Sequence, residues 1–307
     1  MQSLTDRFGT EGLRTDLKGF NHLPRRSMGL TYTTPADPPL KSLLIRTVEQ
    51  LGGVRKLEKR YAKVLDRYEP SSNFWQLALE ELDIRLDYEP EQLTQIPSDG
   101  PLIFIANHPF GLLDGLAVCH LATMARGDFR IMLHSALCRE ERIEQFVLPI
   151  NFDKTAEATR ANIRTKQQAL GYLRAGGTMV IFPAGGISTS AGLTGPVTDL
   201  AWKLFFAKLV QMTEATVVPI YFHGHNSRLF QVISQFSETL RLSLIVREVH
   251  NKIGQTLQIA IGNPIPFAQI AHIKKRRDLS AHLRMTIYAL GNATDVGMQV
   301  GRMRERY

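Results

Sequence analysis

The sequence predicts an α/β fold, with a mostly parallel central sheet of about seven strands, flanking helices and an N-terminal helical cap. From about residue 84 onward, short runs rich in β-branched and aromatic residues alternate with segments of helical periodicity. This alternation is typical of strand–helix–strand units, in which the strands run parallel. The chain has 307 residues, 44% of them hydrophobic, which suffices for one large α/β domain or two small ones.

Seven segments are predicted to be strands. They are residues 84–88, 102–106, 129–133, 146–149, 178–182, 216–222 and 256–261. The apolar segment 116–124 contains neither Pro nor Gly, so we expect a buried helix there. Further helices are predicted over residues 160–175, 197–213 and 278–291, where they would cover the faces of the sheet.

The first 83 residues are expected to form two regions. Residues 1–38 are interpreted as a loosely ordered lead-in, because they end in a proline-rich stretch that blocks both helix and strand. Residues 39–83 are interpreted as the helical cap, and residues 84–307 as the α/β domain. The cap carries helical patterns at residues 40–51, 54–68 and 71–82. Its basic and aromatic residues suit contact with a membrane surface, and they suit a helical layer packed on the sheet equally well.

The charge balance favours anionic partners. Lys and Arg outnumber Asp and Glu by 37 to 29, which gives a net charge of +8 and a pI near 9.6. Such a surface attracts anionic lipid, an acidic carrier protein or nucleic acid. The basic run Ile273–Arg277 is interpreted either as a docking segment for anionic lipid or an acidic carrier, or as a solvated loop before a helix. Nucleic acid is not expected as a partner, because no recognised binding motif accompanies the charge.

The sequence does not predict secretion or a membrane span. Its first residues lack the basic and apolar parts of a signal peptide, and no window approaches the roughly 18 apolar residues that span a bilayer. Cys119 and Cys138 have no metal-ligand spacing, which indicates free thiols in a reducing compartment. We therefore expect a cytoplasmic protein, which would bind peripherally to the inner face of the cell membrane if its substrate is a membrane lipid.

One stretch combines a histidine and an aspartate in a tight loop. Residues 107–115 read Asn-His-Pro-Phe-Gly-Leu-Leu-Asp-Gly and directly follow the predicted strand 102–106. His108 is predicted to be a general base, since an imidazole with a pKa of about 6.5 accepts a proton at neutral pH. Asp114 is predicted to orient the ring and stabilise the imidazolium. No nucleophile lies beside them, so the base is expected to activate a hydroxyl of the substrate; alternatively, Asp114 caps the helix and His108 is an ordinary loop residue.

This stretch resembles the catalytic motif of the glycerolipid acyltransferase superfamily, in its hemolysin-like, lysophospholipid-acyltransferase branch. In that superfamily the histidine deprotonates the acceptor hydroxyl and the aspartate holds the histidine, so the resemblance assigns these roles to His108 and Asp114. Five residues separate the two here, one more than in the commonest form of the motif. Backbone N–H groups near Gly111 are expected to stabilise the oxyanion. Asn107, Phe110 and Gly111 are expected to contact the substrate.

A second block, Phe182–Ser188, reads Phe-Pro-Ala-Gly-Gly-Ile-Ser after the strand predicted at 178–182. It puts an N–H-rich turn at the carboxyl edge of the sheet, where ligands tend to bind, although a plain tight turn has the same pattern. It resembles the superfamily's Phe-Pro-Glu-Gly-Thr-Arg-Ser block, which holds a headgroup phosphate. Ala184 replaces the Glu, and Gly186-Ile187 replaces Thr-Arg, which favours an acceptor with a different headgroup. The substrate-binding residues predicted in this block are Phe182, Pro183, Ala184, Gly185, Gly186 and Ser188.

A third block, Val217–Phe230, resembles the superfamily's fourth motif, in which a strand with a proline lines the acyl or acceptor channel. Pro219 is therefore expected to contact the substrate. Asn226 and Arg228 follow the predicted strand and are expected to meet a headgroup carboxylate, sulfonate or phosphate.

Two further features of the sequence are weaker. His223 and His225 are two residues apart but lack a third ligand nearby, so no metal site is predicted. Residues 146–153 resemble the superfamily's second motif only in part, since its usual Arg is absent. Arg160 and Arg164 are candidates for supplying that charge.

The resemblance covers about residues 84–265 and implies lipid acylation. The missing phosphate-binding charges favour enzymes similar to the ornithine-lipid (aminolipid) O-acyltransferases, which esterify the hydroxyl of a 3-hydroxyacyl amide. The implied acceptor is a lyso-lipid, and the co-substrate is an acyl thioester of acyl carrier protein or coenzyme A. No other cofactor and no covalent intermediate are implied.

Three alternatives remain open. The closest is a 1-acylglycerol-3-phosphate (lysophosphatidate) acyltransferase. A non-catalytic lipid-binding protein is suggested by the missing Glu, and a hydrolase would release fatty acid with no acceptor present. Gly-x-Ser-x-Gly and the glycine-rich nucleotide-binding motifs are absent from the sequence, which disfavours a serine hydrolase and a nucleotide-binding protein.

Overall fold

The strands of the computed structural model coincide with the seven predicted segments and add a short ribbon. The structure describes residues 53–135, 141–153, 155–192, 195–236 and 238–304. In chain order the strands are β1 (Arg85–Asp87), β2 (Leu102–Ala106), β3 (Arg130–His134), β4 (Val147–Ile150), β5 (Thr178–Ile181), β6 (Thr189–Ser190), β7 (Val197–Thr198), β8 (Thr216–Phe222) and β9 (Thr256–Ile261). β6 and β7 form a separate antiparallel pair, and the other seven strands form one sheet.

The sheet is mostly parallel, which confirms the predicted fold class. Its spatial order is β1-β9-β8-β2-β5-β3-β4, and within it only β8 and β9 pair antiparallel. β2 lies at the centre, between β5 and β8. Because β5, β2 and β8 run in the same direction, their carboxyl ends meet at one edge of the sheet.

Helices flank this sheet. In chain order they are α1 (Val54–Arg67), α2 (Phe74–Glu81), α3 (Glu91–Thr94), α4 (Leu112–Arg126), α5 (Ala156–Arg174), α6 (Phe205–Thr213), α7 (Arg228–Ser234), α8 (Glu238–Lys252), α9 (Phe267–Ile270) and α10 (Arg276–Arg304), with a 3-10 helix at Glu141–Phe146 before β4. The helices predicted at 116–124, 160–175 and 278–291 correspond to α4, α5 and α10.

Two helix predictions need correction. The helix predicted over 197–213 begins only at Phe205, because Val197 and Thr198 pair with β6. The Asp199 carboxylate that follows is held by the His108 N–H and the Trp202 indole. The helices α3, α7, α8 and α9 were not predicted. Ser227 marks the start of α7, since its hydroxyl caps the helix by accepting from the Phe230 N–H.

The N-terminal helices α1 and α2 occupy two of the three predicted cap segments. Residues 1–38 and the predicted helix at 40–51 lie outside the described residues. α2 begins after Asn73, whose side chain accepts from the Gln76 N–H, and it buries Phe74 and Trp75. The Trp75 ring packs against those of Phe129 and Phe146. The aromatic residues of α2 therefore belong to a helical layer packed on the sheet.

The central strands form the core. All five residues of β2 and all four of β5 are buried, as expected for strands with helices on both faces. On one face, Ile103 and Ile105 join a cluster with residues of α5, α6 and α10. Phe104 points to the opposite face, because successive side chains alternate along a strand.

The turn between β2 and α4 depends on Gly111. Its backbone has φ +81° and ψ −108°, a conformation that is essentially restricted to glycine. A Cβ at this position would lie 2.6 Å from Cδ1 of Ile187. The turn therefore needs both the backbone freedom and the small size of glycine.

The Phe104→Ala substitution should lower the free energy of unfolding by about 3–5 kcal/mol, because it leaves a cavity in the central strand. Urea unfolding, monitored by circular dichroism, measures this change. Phe236→Ala is the matched control, since 78% of Phe236 is exposed, and we expect a change within about 0.5 kcal/mol. Equal effects of the two substitutions would show that β2 is not the core strand.

Gly111→Ala and Gly115→Ala should change the melting temperature in opposite directions. At Gly111 an alanine is strained by about 1–3 kcal/mol. Gly115 lies inside α4 with open space where a Cβ would lie, so alanine there should stabilise the helix by about 0.5–1 kcal/mol. Thermal unfolding of both variants checks this, and a stabilising Gly111→Ala would contradict the turn geometry.

Candidate active site

Three loops meet at the carboxyl edge of the sheet. They follow the neighbouring parallel strands β8, β2 and β5. β2 leads into residues 107–111, β5 into residues 182–188 and β8 into residues 223–227. The three blocks that stood out in the sequence therefore come together in space, although the chain separates them by tens of residues.

His108 and Asp114 are in contact. Nδ1 of His108 lies 3.1 Å from Oδ2 of Asp114. The Asp114 side chain is fully buried, whereas 17% of the His108 side chain is exposed. The five intervening residues contain the Gly111 turn, which lets the chain fold back so that this pair closes. With Nδ1 facing the carboxylate, Nε2 is the ring nitrogen left for a substrate.

Asp114 also caps helix α4. Its Oδ2 accepts hydrogen bonds from the backbone N–H groups of Phe110 (2.8 Å) and Gly111 (2.9 Å). Asp114 thus both caps the helix, as the alternative interpretation expected, and contacts His108. These two N–H groups are therefore engaged by Asp114, and the expectation that N–H groups near Gly111 stabilise an oxyanion stays a prediction for the other N–H groups of this turn.

Burial raises the pKa of the Asp114 carboxyl above its ordinary value, because the charged form loses its hydration. The adjacent imidazole and the two backbone N–H groups oppose this rise, since they favour the carboxylate. Its second oxygen, Oδ1, is buried and has no hydrogen-bond partner among the described residues. The hydrogen bonds to Oδ2 therefore leave the carboxylate incompletely compensated.

The β5 block packs against the histidine. The Phe182 and His108 rings lie 4.1 Å apart between centroids, with 31° between their planes. The backbone N–H of Ser188 donates to the His108 carbonyl at 2.8 Å. Pro183 and Ala184, which follow Phe182 in the chain, are buried. The structure thus brings the predicted residues Phe182 and Ser188 directly to His108.

Exposed apolar side chains flank the Gly185-Gly186 turn. A Cβ on Gly185 would lie 3.9 Å from the Phe152 ring, and one on Gly186 would lie 3.4 Å from Leu200. Phe152 is 53% exposed and Leu200 is 43% exposed. The two glycines therefore leave a turn without side chains beside two exposed apolar residues.

Asn107 and Phe110 make internal contacts. The Asn107 amide donates to the Phe222 carbonyl at 3.0 Å and accepts from the Phe222 N–H at 2.7 Å, which ties the end of β2 to the end of β8. The Phe110 ring is buried and lies 3.1 Å from the point where a Cβ on Gly224 would be. Nζ of Lys252 lies 5.0 Å from the centroid of the Phe110 ring. Both predicted residues lie at the site, with side chains that hold its loops together.

Asn226 is the unusual residue of the β8 block. Its side chain is completely buried, and neither its amide oxygen nor its amide nitrogen has a hydrogen-bond partner among the described residues. Each such unsatisfied group costs about 1–3 kcal/mol. Arg228 is exposed at the start of α7. Pro219 is buried within β8, where its ring packs on Gly262.

The segment that resembles the second motif lies further away. β4 is the edge strand, separated from β5 by β3, and Arg160 and Arg164 are exposed on α5. Phe152 is the residue that this segment brings to the Gly185 turn.

Asp199 is a site residue that the sequence patterns did not reveal. Its carboxylate accepts the backbone N–H of His108 at 3.0 Å, and it is buried. It lies in the stretch that was predicted to be helical. The one feature of the sequence that could have indicated Asp199 is that it is an acidic residue within a mostly apolar segment.

Metal ligation and membrane spanning were also assessed over the described ranges. No three His, Cys, Asp or Glu side chains in these ranges are grouped so that they can hold a metal ion. The helices in the same ranges include none with the length and apolar character needed to cross a membrane. Cys119 is buried in α4, and burial raises the pKa of its thiol, as expected for an inert core residue.

Comparison with known proteins adds to this geometry. The family model described as Acyltransferase matches residues 70–297. Lyso-glycine lipid O-acyltransferases from Phocaeicola vulgatus and Bacteroides thetaiotaomicron are 27% and 26% identical over 225 and 226 residues, which is 71% of this chain in both cases and 77% and 79% of those proteins. The crystal structure of the 1-acyl-sn-glycerophosphate (LPA) acyltransferase PlsC from Thermotoga maritima has a TM-score of 0.46 and 13% identity, covering 83% of this chain and 97% of that chain.

The family model matches well over half of the 307 residues. It includes the His108–Asp114 pair and the blocks after β5 and β8. The resemblance drawn from these motifs is therefore confirmed: the chain belongs to the acyltransferase family, and it is an acyltransferase.

Proposed function

We propose that this acyltransferase moves a fatty acyl chain from an acyl thioester to the hydroxyl of a lyso-aminolipid. The observation that carries the proposal is the 3.1 Å contact between Nδ1 of His108 and the buried Asp114 carboxylate. A base held in this way suits a reaction in which the substrate brings its own nucleophile. The names of the two lyso-glycine lipid O-acyltransferases support a lyso-lipid acceptor.

In the proposed mechanism, the neutral His108 ring carries its proton on Nδ1, facing Asp114, and Nε2 accepts the proton of the acceptor hydroxyl. The hydroxyl oxygen attacks the thioester carbonyl. The tetrahedral oxyanion then collapses, the carbon–sulfur bond breaks, and the imidazolium returns the proton to the leaving thiolate. We assign oxyanion stabilisation to the N–H groups of Leu112 and Leu113, because the first turn of a helix leaves such groups without a carbonyl partner.

Two side chains near the site argue for transfer in one step, without an acyl-enzyme. The hydroxyl of Ser188 donates to Asp199 at 2.5 Å, so it does not face the base. The thiol of Cys119 is buried in α4. Neither group is arranged as a nucleophile activated by His108.

The β5 block supports an acceptor without a headgroup phosphate. Ala184 and Ile187 are both buried and apolar, at the positions where the superfamily's block has Glu and Arg. A dianionic phosphate beside them would lack the paired charge that its desolvation requires. We therefore favour an aminolipid, similar to the ornithine-lipid or glycine-lipid type, over lysophosphatidate.

Asn226 is proposed to bind the amide group of that acceptor. A carboxamide offers one acceptor and two donors, which match the N–H and C=O of an amide-linked lyso-lipid. The loop that holds Asn226 is joined to the His108 loop through Phe110 and Gly224. An ester-linked acceptor has no N–H, so it would leave the Asn226 oxygen unpaired.

The exposed residues Phe152 and Leu200 are proposed to guide lipid chains from a membrane to the site. Apolar side chains at the mouth, together with a net charge of +8, suit an anionic bilayer surface. We propose peripheral attachment to the cytoplasmic face of the cell membrane. The exposed basic residues at 274–277 support an acidic acyl donor, either acyl carrier protein or coenzyme A.

The proposed mechanism makes a prediction about turnover. Purified protein given an acyl thioester and an N-(3-hydroxyacyl) amino acid should form the diacyl product and one free thiol per ester. His108→Ala should reduce the rate by at least about 100-fold, because it removes the general base. Mass spectrometry of the lipid and a thiol assay measure both products.

His272→Ala is the matched control, since His272 is exposed and lies between α9 and α10, and it should retain wild-type activity. A fully active His108→Ala variant would exclude the mechanism. Faster turnover of lysophosphatidate than of any amide-linked acceptor would favour the glycerophosphate alternative, and fatty acid release without an acceptor would favour a hydrolase.

A separate prediction concerns acceptor choice. Wild-type protein should prefer N-(3-hydroxyacyl)glycine over the matching glycolate ester by at least about tenfold in kcat/KM, because the ester lacks one hydrogen-bond donor. Asn226→Leu should lose most of this preference. Its melting temperature should not fall, since an apolar side chain removes two unsatisfied polar atoms. Unchanged selectivity in Asn226→Leu would contradict the proposed role.

A further inference from the structure

We infer that Asp199 is a positioning residue, which fixes the backbone of the catalytic histidine through the carboxylate oxygen Oδ1. This inference rests on the proposed role of His108 as the base. It goes beyond that role, because neither the motifs nor the family resemblance pointed to residue 199. The structure instead shows a buried carboxylate whose hydrogen bonds join separate parts of the chain at the site.

The two oxygens of Asp199 serve different parts of the protein. Oδ1 accepts the His108 backbone N–H at 3.0 Å and the Ser188 hydroxyl at 2.5 Å. Oδ2 accepts the indole N–H of Trp202 at 2.9 Å. One oxygen therefore faces the base and the β5 loop, and the other anchors the carboxylate in its own segment.

The backbone of His108 is consequently held on both sides. Its N–H donates to Asp199, and its carbonyl accepts the Ser188 N–H at 2.8 Å. Ser188 also donates its hydroxyl to Asp199, so the three residues form a closed set of hydrogen bonds. Asp114 and Phe182 then fix the imidazole ring itself.

The backbone of Asp199 is in turn held by α10. Its N–H donates to the Tyr288 hydroxyl at 2.8 Å, and its carbonyl accepts from Arg284 at 3.0 Å. Tyr288 packs edge-on against Tyr221 of β8. Contacts with α10 and β8 therefore help to fix the position of His108, in addition to the contacts within its own loop. Displacing a catalytic group by about 1 Å can cost about 100-fold in rate.

An asparagine at position 199 separates positioning from simple stability. The Asn side chain keeps one oxygen but replaces the other with an NH₂ group, which would face either the His108 N–H or the Trp202 indole N–H. Either arrangement places two donors against each other. Asp199→Asn should therefore lower kcat by about 10- to 100-fold, with KM for both substrates within about twofold.

Trp202→Phe provides the control and the rescue. It removes the donor that faces Oδ2 and leaves Oδ1 untouched, so it should lower the melting temperature while kcat stays within about threefold. In the double variant Asp199→Asn/Trp202→Phe, the amide oxygen can face His108 while its NH₂ group faces the phenyl ring. We expect kcat to recover by about tenfold relative to Asp199→Asn, although the protein is less stable than wild type.

The outcomes distinguish this inference from the proposed function. Activity is measured with whichever acceptor the wild type acylates, so an unexpected acceptor leaves the test intact, whereas a wild type without turnover would count against the function itself. A wild-type kcat in Asp199→Asn, or a double variant that is slower than Asp199→Asn, would overturn the positioning role.

A second comparison covers the case in which Asp199→Asn alone does not fold. In the Trp202→Phe background, Asp199→Asn keeps an acceptor for the His108 N–H, and Asp199→Ala removes it. We expect the alanine variant to have a kcat at least about tenfold below that of the asparagine variant. Equal kcat values would overturn the inference.

Discussion

The site depends on one buried interaction, the contact between the Asp114 carboxylate and the His108 imidazole. A carboxylate that has lost its hydration is unfavourable unless donors replace the water. Two of the replacements are backbone N–H groups at the start of α4, and Nδ1 of His108 lies 3.1 Å from the same carboxylate oxygen. The helix start, the Gly111 turn and the position of His108 are therefore consequences of the same requirement.

The parallel sheet supplies the rest of the site. Three loops that are far apart along the chain leave adjacent strands at the same edge, and specific bonds join them. Asn107 ties β2 to β8, Ser188 ties the β5 loop to His108, and Asp199 holds the same residue from the opposite side. In the proposed mechanism, a base supported in this way needs little rearrangement during the reaction, which is how a preorganised site lowers a barrier.

The strands of the sheet were predictable because each is an apolar run between turn residues, and burial on both faces makes such runs continuous. The His108–Asp114 pair was predictable because both residues lie in one short motif. Asp199 was not, since its partner lies 91 residues away and its own segment has a helical pattern. The hydrogen bonds from the Phe110 and Gly111 N–H groups to Asp114 were predicted only as the alternative in which Asp114 caps the helix, because a sequence does not show which acceptor a free N–H will meet. The burial of Asn226 likewise depends on packing between loops, which a local sequence pattern does not reveal.

The most direct test of the account is the tautomer of His108, measured by ¹⁵N NMR of histidine-labelled protein at a pH where the ring is neutral. The His108 signals are assigned by their absence from a His108→Gln variant. The account predicts that the proton resides on Nδ1, facing Asp114, and that Asp114→Asn shifts the population toward the Nε2–H form. A neutral ring protonated on Nε2 in the wild-type protein would contradict it, because that nitrogen could not then accept a proton from the acceptor hydroxyl.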